Sequence, residues 1–278
     1  MFSGRTLLIV TQHAKQVVLA PVLEEALGVR CVVAEGFDTD QLGTFSGEVH
    51  REDDPLSTAR KKCLQGMDTM GLDLAVASEG SFGPHPSIPF IPADDELLVL
   101  IDKKNDIEIF VREISTETNF QGKEVRTEGD LLAFAERAGF PSHGLILKDA
   151  ANPFTRVVKG ITRTDLLTDT FHRLISDFGK AYVETDMRAM FNPTRMAVIK
   201  SAALKLAEKI RSECPVCHCP GYGVTEAREG LPCALCHTPT RSTLSHIYTC
   251  LKCGHREEKM YPAGKTLESA MYCDLCNP

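Results

Sequence analysis

Residues 73–92, DLAVASEGSFGPHPSIPFIP, decide how the rest of this chain is read. Leu74, Ala75, Val76 and Ala77 form an apolar run of the length expected of a buried strand. After it the sequence predicts a break into a loop, because Gly80, Gly83, Pro84, Pro86, Pro89 and Pro92 follow closely. Polar groups gather where that strand ends: Ser78, Glu79, Ser81 and His85. In an α/β sheet this is where ligands bind, since backbone amides and side chains there are released from the ladder. Glycine allows close approach to the backbone, and proline holds a loop in one shape. A rigid surface loop without a ligand has the same composition.

Working back from this stretch, residues 5–11 (RTLLIVT) form an aliphatic strand. Val17, Val18, Val22, Leu23, Ala26 and Leu27 then recur at helical spacing; Pro21 implies a kink or late start, and Gly28 closes the helix. Residues 31–34 are the next strand, which makes a β-α-β unit. Its first loop carries Thr11, His13 and Lys15 to a helix N-terminus, where free amides and the helix dipole favour an anion. A plain β-α connection with a surface lysine is the alternative. Residues 36–54 are polar and acidic, and a carboxylate such as Glu52 is a candidate oxygen ligand for Mg²⁺. Residues 55–70 form a helix with Asp54 as N-cap and Pro55 at N1. Its Leu56, Ala59, Cys63, Met67 and Met70 make an apolar stripe, while Arg60, Lys61 and Lys62 fan around it.

On the other side, residues 96–101 and 106–114 are two strands of a hairpin joined by DKKN. A helix over 128–138 ends at Gly139, a short strand covers 144–148, and Thr164 caps a helix to residue 178. Alternation over residues 182–188 predicts a strand with Glu184, Asp186 and Arg188 on one face. Asn192 and Pro193 open a helix through residue 210. Either Arg188 pairs with Glu184 or Asp186 as a structural ion pair, or Arg188 and Arg195 bind a phosphate or carboxylate, which guanidinium matches bidentately.

The tail differs in kind. Cys214/Cys217, Cys233/Cys236, Cys250/Cys253 and Cys273/Cys276 are four C-x-x-C knuckles. The first two are separated by 15 residues and the last two by 19. Both gaps suit a two-knuckle zinc site, so eight thiolates close two structural Zn²⁺ sites, with consecutive pairs sharing a zinc or the pairs interleaving. Cys31, Cys63 and Cys219 are left as free thiols. Residues 211–278 carry seven Lys/Arg and seven Asp/Glu. That neutrality argues against a nucleic-acid module and for a structural or protein-contact role.

The whole chain has 278 residues, 43% hydrophobic and 25% charged, with a net charge of −7. It has no basic field to draw it to nucleic acid or anionic lipid. Its eleven cysteines, with no apolar leader at the N-terminus and no run long enough to span a bilayer, lead us to expect thiols and metal in a cytoplasmic protein without a membrane role.

Together, TQHAK, GFDTDQLGTFSGE, ASEGSFGPHPSIPFIP, ETDMRAMFNPTRM and the knuckles resemble a bacterial family known only as a domain of unknown function. Over its first third the order of strand, T-x-H-x-K loop, helix, acidic loop, A-R-K-K helix and strand ending in S-E-G is similar to the inosine/xanthosine triphosphate pyrophosphatase superfamily. The matching positions are Thr11, His13 and Lys15, Ala59 and Arg60, and Glu79 with Gly80. That resemblance implies an α/β fold with a mixed sheet and flanking helices, and Mg²⁺-dependent hydrolysis of a nucleoside triphosphate-like substrate. Glu79 and Lys15 would be catalytic and Glu79 with Glu52 would hold Mg²⁺. Thr11, His13 and Arg60 would contact substrate, and to these the reading of the residues themselves adds Ser78, Ser81, His85, Arg188 and Arg195. The alternatives are a binding protein for a nucleotide or other anion, with a protein partner on the zinc module, and a nucleic-acid-associated zinc protein. The expected organisation is an anion-binding α/β domain over 1–122, an α/β continuation over 123–211, and a two-zinc ribbon or knuckle module over 212–278.

Overall fold

In the computed structural model, which describes residues 1–33 and 54–278, the first aliphatic run forms β1 (Thr6–Val10). Helix α1 (Gln16–Leu27) contains Pro21 and stops at Gly28, whose φ of 66° is the left-handed conformation that ends a helix. β2 (Arg30–Val33) lies parallel to β1. Helix α2 (Pro55–Met70) begins on Asp54, whose carboxylate accepts from the amides of Leu56 and Ser57. β3 (Leu74–His85) then runs parallel to β1 on its other side. β4 (Ile88–Asp102) and β5 (Ile107–Ser115) add antiparallel strands, so the sheet order is β2-β1-β3-β4-β5. The chain is thus α/β with a mixed sheet and flanking helices.

The expected break after Ala77 does not occur. β3 continues to His85, paired with β4 from Leu74–Asp102 to His85–Ile88. β1 pairs with β3 only as far as Ala77, and β5 pairs with β4 only from Asp94 onward. Past those points each strand of the hairpin lacks one of its sheet neighbours. Proline, which cannot donate to a ladder, is tolerated on such an edge.

The chain steps from β1 to β2 in one direction and from β2 to β3 in the other. Right-handed crossovers then put α1 and α2 on opposite faces. Ala59, Cys63 and Met67 of α2 bury against Leu8, Val10, Ala75, Ala77, Val99 and Ile101. The strand order reverses between β1 and β3, and this is the topological switch point of the sheet.

A second, wholly antiparallel sheet has the order β6-β9-β7-β8. It comprises β6 (Gly122–Val125), β7 (Leu145–Lys148), β8 (Val157–Ile161) and β9 (Ala181–Thr185). Helices α3 (Glu128–Ala138) and α4 (Thr164–Phe178) cover it through Leu131, Phe134, Leu167 and Phe171. Thr164 opens α4 as its first helical residue, and the cap position is Arg163, with no side-chain cap bond. The strand predicted over 182–188 ends at Thr185. There the Asp186 carboxylate takes the amides of Gly160 and Arg188, which turns the chain away from the ladder. Asn192 caps α5 (Pro193–Arg211), its Oδ1 accepting from the Arg195 amide at 3.0 Å.

The described chain divides into two compact units, Met1–Ala207 and Glu208–Pro278, with the boundary inside α5. The second unit holds an antiparallel sheet of β10 (Gly223–Glu229), β11 (Thr243–Thr249) and β12 (Arg256–Met260). Among the described residues no helix is long and apolar enough to cross a membrane.

Candidate anion crevice and cysteine centres

Lys15 stands at the carboxyl end of β1, where α1 begins. Its ammonium is buried and donates to Ser78 Oγ at 2.8 Å and to the Ser78 carbonyl at 3.4 Å. Burial, reinforced by the nearby Arg195 charge, pushes its pKa down to about 8. No side chain caps α1, and its first turn carries no acid. Thr11 is buried beside this turn and its hydroxyl accepts from the His13 amide at 3.3 Å. His13 is pushed down to about 4, first by desolvation and then by the positive charges of Lys15, Arg195, Arg188 and Lys62. The imidazole is therefore neutral at pH 7. Four cations from separate parts of the chain thus act on His13 at the switch point.

Side chains alternate along β3, and this sorts the expected site residues into two faces. Ser78 and Gly80 face Lys15 and Arg195, whereas Glu79 points to the α2 side and pairs with Lys62 at 2.5 Å. Lys15 and Glu79 therefore stand on opposite sides of the sheet, although the Glu79 charge still acts on Lys15. Ser81 shares the Glu79 parity, and its cross-strand partner is Asp95. Arg60 grips Glu108 with Nε and Nη2. His85 Nδ1 accepts from the Ser87 amide at the hairpin end. Arg188 binds Asp186 at 3.0 and 2.6 Å and lies 4.6 Å from the Phe191 ring centre. Arg195 binds Glu96 at 2.6 Å, and both are wholly buried. Glu52 lies outside the described residues, as does the rest of the acidic run before Asp54.

Gly80 is required by the close approach of the Arg195–Glu96 pair rather than by a turn. A Cβ there would lie 2.5 Å from both Arg195 Nη2 and Glu96 Oε1. Those atoms are side-chain tips, but their ion pair locks them in place. Gly80→Ala is expected to destabilise the first unit by about 1–3 kcal/mol, measurable as a lower urea midpoint at unchanged slope.

The cysteines form two tetrads, Cys214/Cys217/Cys250/Cys253 and Cys233/Cys236/Cys273/Cys276. The knuckles interleave: first with third, second with fourth. Sulfur separations are 3.7 Å for Cys214–Cys253, 3.5 Å for Cys217–Cys250, 3.9 Å for Cys233–Cys276 and 3.6 Å for Cys236–Cys273. A tetrahedron with metal–sulfur bonds of about 2.3 Å has edges of about 3.8 Å. Each tetrad therefore fits a metal ion such as zinc. In all four knuckles the residue after the second cysteine returns its amide to the first cysteine's carbonyl, from His218, His237, Gly254 and Asn277. His218 and His237 take φ of 56° and 59°, matching Gly254 at 72°. These histidines are turn residues and lie outside the ligand sets.

A family model described as a domain of unknown function, DUF6671, matches residues 62–278. The chain belongs to this family. The match takes in β3 onward and all four DUF6671 knuckles, and leaves β1, α1 and β2 outside it. No curated protein matches the chain. These comparisons lend no support to the likeness with the inosine/xanthosine triphosphate pyrophosphatase superfamily. In this DUF6671 chain the residues passed over from sequence are Asp94 and Glu96, both wholly buried on the Ser78 face. Their signal was parity: they share the alternation that continues into Leu98 and Leu100.

Proposed function

We propose that the first unit binds a small phosphate-type anion, such as a nucleotide, in the crevice between β1 and β3. In the same reading the second unit is a two-zinc module that contacts a protein partner. The burial of Lys15 on Ser78 at the switch point carries the first part, because open α/β sheets bind ligands at that place. Arg195, Arg188 and Lys62, each beside its own carboxylate, add to the field that draws an anion there. The partner role is supported by the knuckle tips. Val216, Leu235, Leu251 and Leu275 lie between the paired cysteines and are 62%, 72%, 81% and 68% exposed. Apolar side chains so exposed, once in every knuckle, suit a docking surface better than a core.

The test of the anion site is thermal denaturation of the metal-replete full chain with phosphate, pyrophosphate and nucleoside triphosphates at constant ionic strength. A ligand at a hundred times its Kd is expected to raise the Tm of the first unit by roughly 5–10 °C. Lys15→Met should abolish the shift, and Lys61→Met, on the exposed side of α2, should leave it. A shift that survives Lys15→Met, or none with any of these anions, would remove the proposal.

A further inference from the structure

Asp94 and Glu96 sit two residues apart on β4, on the sheet face that carries Ser78 and Gly80. Neither has any solvent exposure. Both oxygens of Asp94 and Oε2 of Glu96 receive no hydrogen-bond donor from the protein among the described residues. Glu96 spends its other oxygen on Arg195. Leaving a buried acceptor unsatisfied costs about 1–3 kcal/mol, and more for a charged group, so three such atoms in one place call for a further occupant. The remaining charged groups facing them are Lys15 ahead of α1, Arg195 on α5, and Glu113 on β5, which is the cross-strand partner of Glu96 and is held by Lys205.

We infer that Asp94 and Glu96 form a site for a hard divalent cation, Mg²⁺ or Mn²⁺, on the Lys15 side of the sheet. Two carboxylates with water and phosphate oxygens are the usual surroundings of Mg²⁺, which seldom takes an all-protein cage. The ion would bind Asp94 and the spare oxygen of Glu96, leaving the Arg195 contact in place. Asp94 and Glu96 are close enough to hydrogen-bond each other, and desolvation followed by the Glu96 charge pushes Asp94 up to about 8. The site goes beyond the anion reading and does not depend on it, since the ion needs only the two carboxylates. If both hold, a phosphate on Lys15 would have a metal on the same face, as Mg²⁺-dependent hydrolysis requires. Glu79, paired with Lys62 on the opposite face, would then not be a metal ligand.

The experiment uses Mn²⁺ alone as probe on the full chain with its cysteine centres filled, followed by electron paramagnetic resonance and by calorimetry. Mn²⁺ prefers oxygen to thiolate ligands, which separates this site from the tetrads. One Mn²⁺ per chain is expected. Asp94→Asn, which matches the protonated acid in shape and so should fold, is expected to weaken binding by more than about tenfold, a loss that even an outer-shell change can cause. Asp95→Asn, on the other face and paired with Arg112, should leave it unchanged. Should Asp94→Asn fold poorly, Glu96→Asp at pH 8 supplies the second variant and should also lose Mn²⁺ by drawing the carboxylate back. Equal Mn²⁺ binding in Asp94→Asn and the unchanged protein, or no bound Mn²⁺ at millimolar concentration, would overturn the site. Phosphate-induced stabilisation measured without metal is independent of either result.

Discussion

Stripping metal from the full chain is expected to unfold residues 208–278 while the first unit keeps its cooperative transition. The second unit has little else to hold it. Its buried large apolar side chains outside the tetrads are few, chiefly Ile210, Tyr222, Leu231 and Ile247, and its outer strands β10 and β12 are mostly exposed. A segment this short without a sizeable core depends on cross-links. Binding free energy at a four-thiolate zinc site, on the order of 10 kcal/mol, is in such cases folding free energy. Hydrogen exchange after chelation should show loss of protection over β10–β12 and recovery when Zn²⁺ is restored. Retained protection in metal-free protein would mean that the cysteines are not the source of stability.

The same centres allow the pairing to be read from stoichiometry. Cys217→Ser with Cys253→Ser removes two ligands from a single tetrad if the knuckles interleave, so one zinc per chain should remain. If neighbouring knuckles shared a metal, the same double substitution would damage both sites and leave none. Zinc counted by mass spectrometry under native conditions separates the two arrangements. Interleaving also explains how so small a unit stays together. Each tetrad joins residues more than thirty positions apart, and once metal closes them the two loops overlap, which constrains the unfolded chain more than two consecutive loops would.

Much of this was written in local chemistry. Asp54-Pro55 and Asn192-Pro193 state where α2 and α5 begin, and Gly28, Gly71 and Gly139 state where helices end, because caps need particular side chains or a left-handed φ. The eight cysteines announced two clusters able to hold metal, but spacing cannot say which knuckles meet, since that is set by the path of β10 to β12. The proline-rich end of the β3–β4 hairpin misled because proline reads as a break unless one knows that the neighbouring strand has already ended. At the crevice, Thr11, His13, Lys15 and Ser78 could be placed together once 5–11 and 74–77 were taken as adjacent parallel strands. Glu79 could have been separated from them by alternation alone, since it has the parity of Ala75 and Ala77 against α2. Asp94 and Glu96 were hidden in DDELL, where a run of acids looks like a solvated strand end. Only tertiary structure shows that α5 brings Arg195 over them.

Replacing Arg195 is expected to produce the largest loss of stability in the first unit. Its guanidinium is wholly buried, binds Glu96 Oε1 through Nε at 2.6 Å, donates through Nη1 to the Met187 carbonyl at 2.5 Å and lies 5.0 Å from the Phe82 ring centre. Arg195→Met leaves the Glu96 charge without its cation and the Met187 carbonyl without that donor. Removing one partner of a buried pair costs about 3–5 kcal/mol, which for a unit of this size corresponds to a Tm lower by roughly 6–20 °C. Arg195→Lys should rescue little, because one ammonium cannot span the carboxylate and the carbonyl as the planar fork does. Glu96→Gln added to Arg195→Met should recover part of the loss, since no charge is then stranded, and a double-mutant cycle over the two positions gives the coupling. An Arg195→Met protein with unchanged Tm that no longer responds to phosphate would reverse the assignment, making Arg195 a ligand-binding residue. Lost stability together with an intact phosphate shift would leave Lys15 and its neighbours as the anion site and Arg195 as the support that holds Glu96 in place.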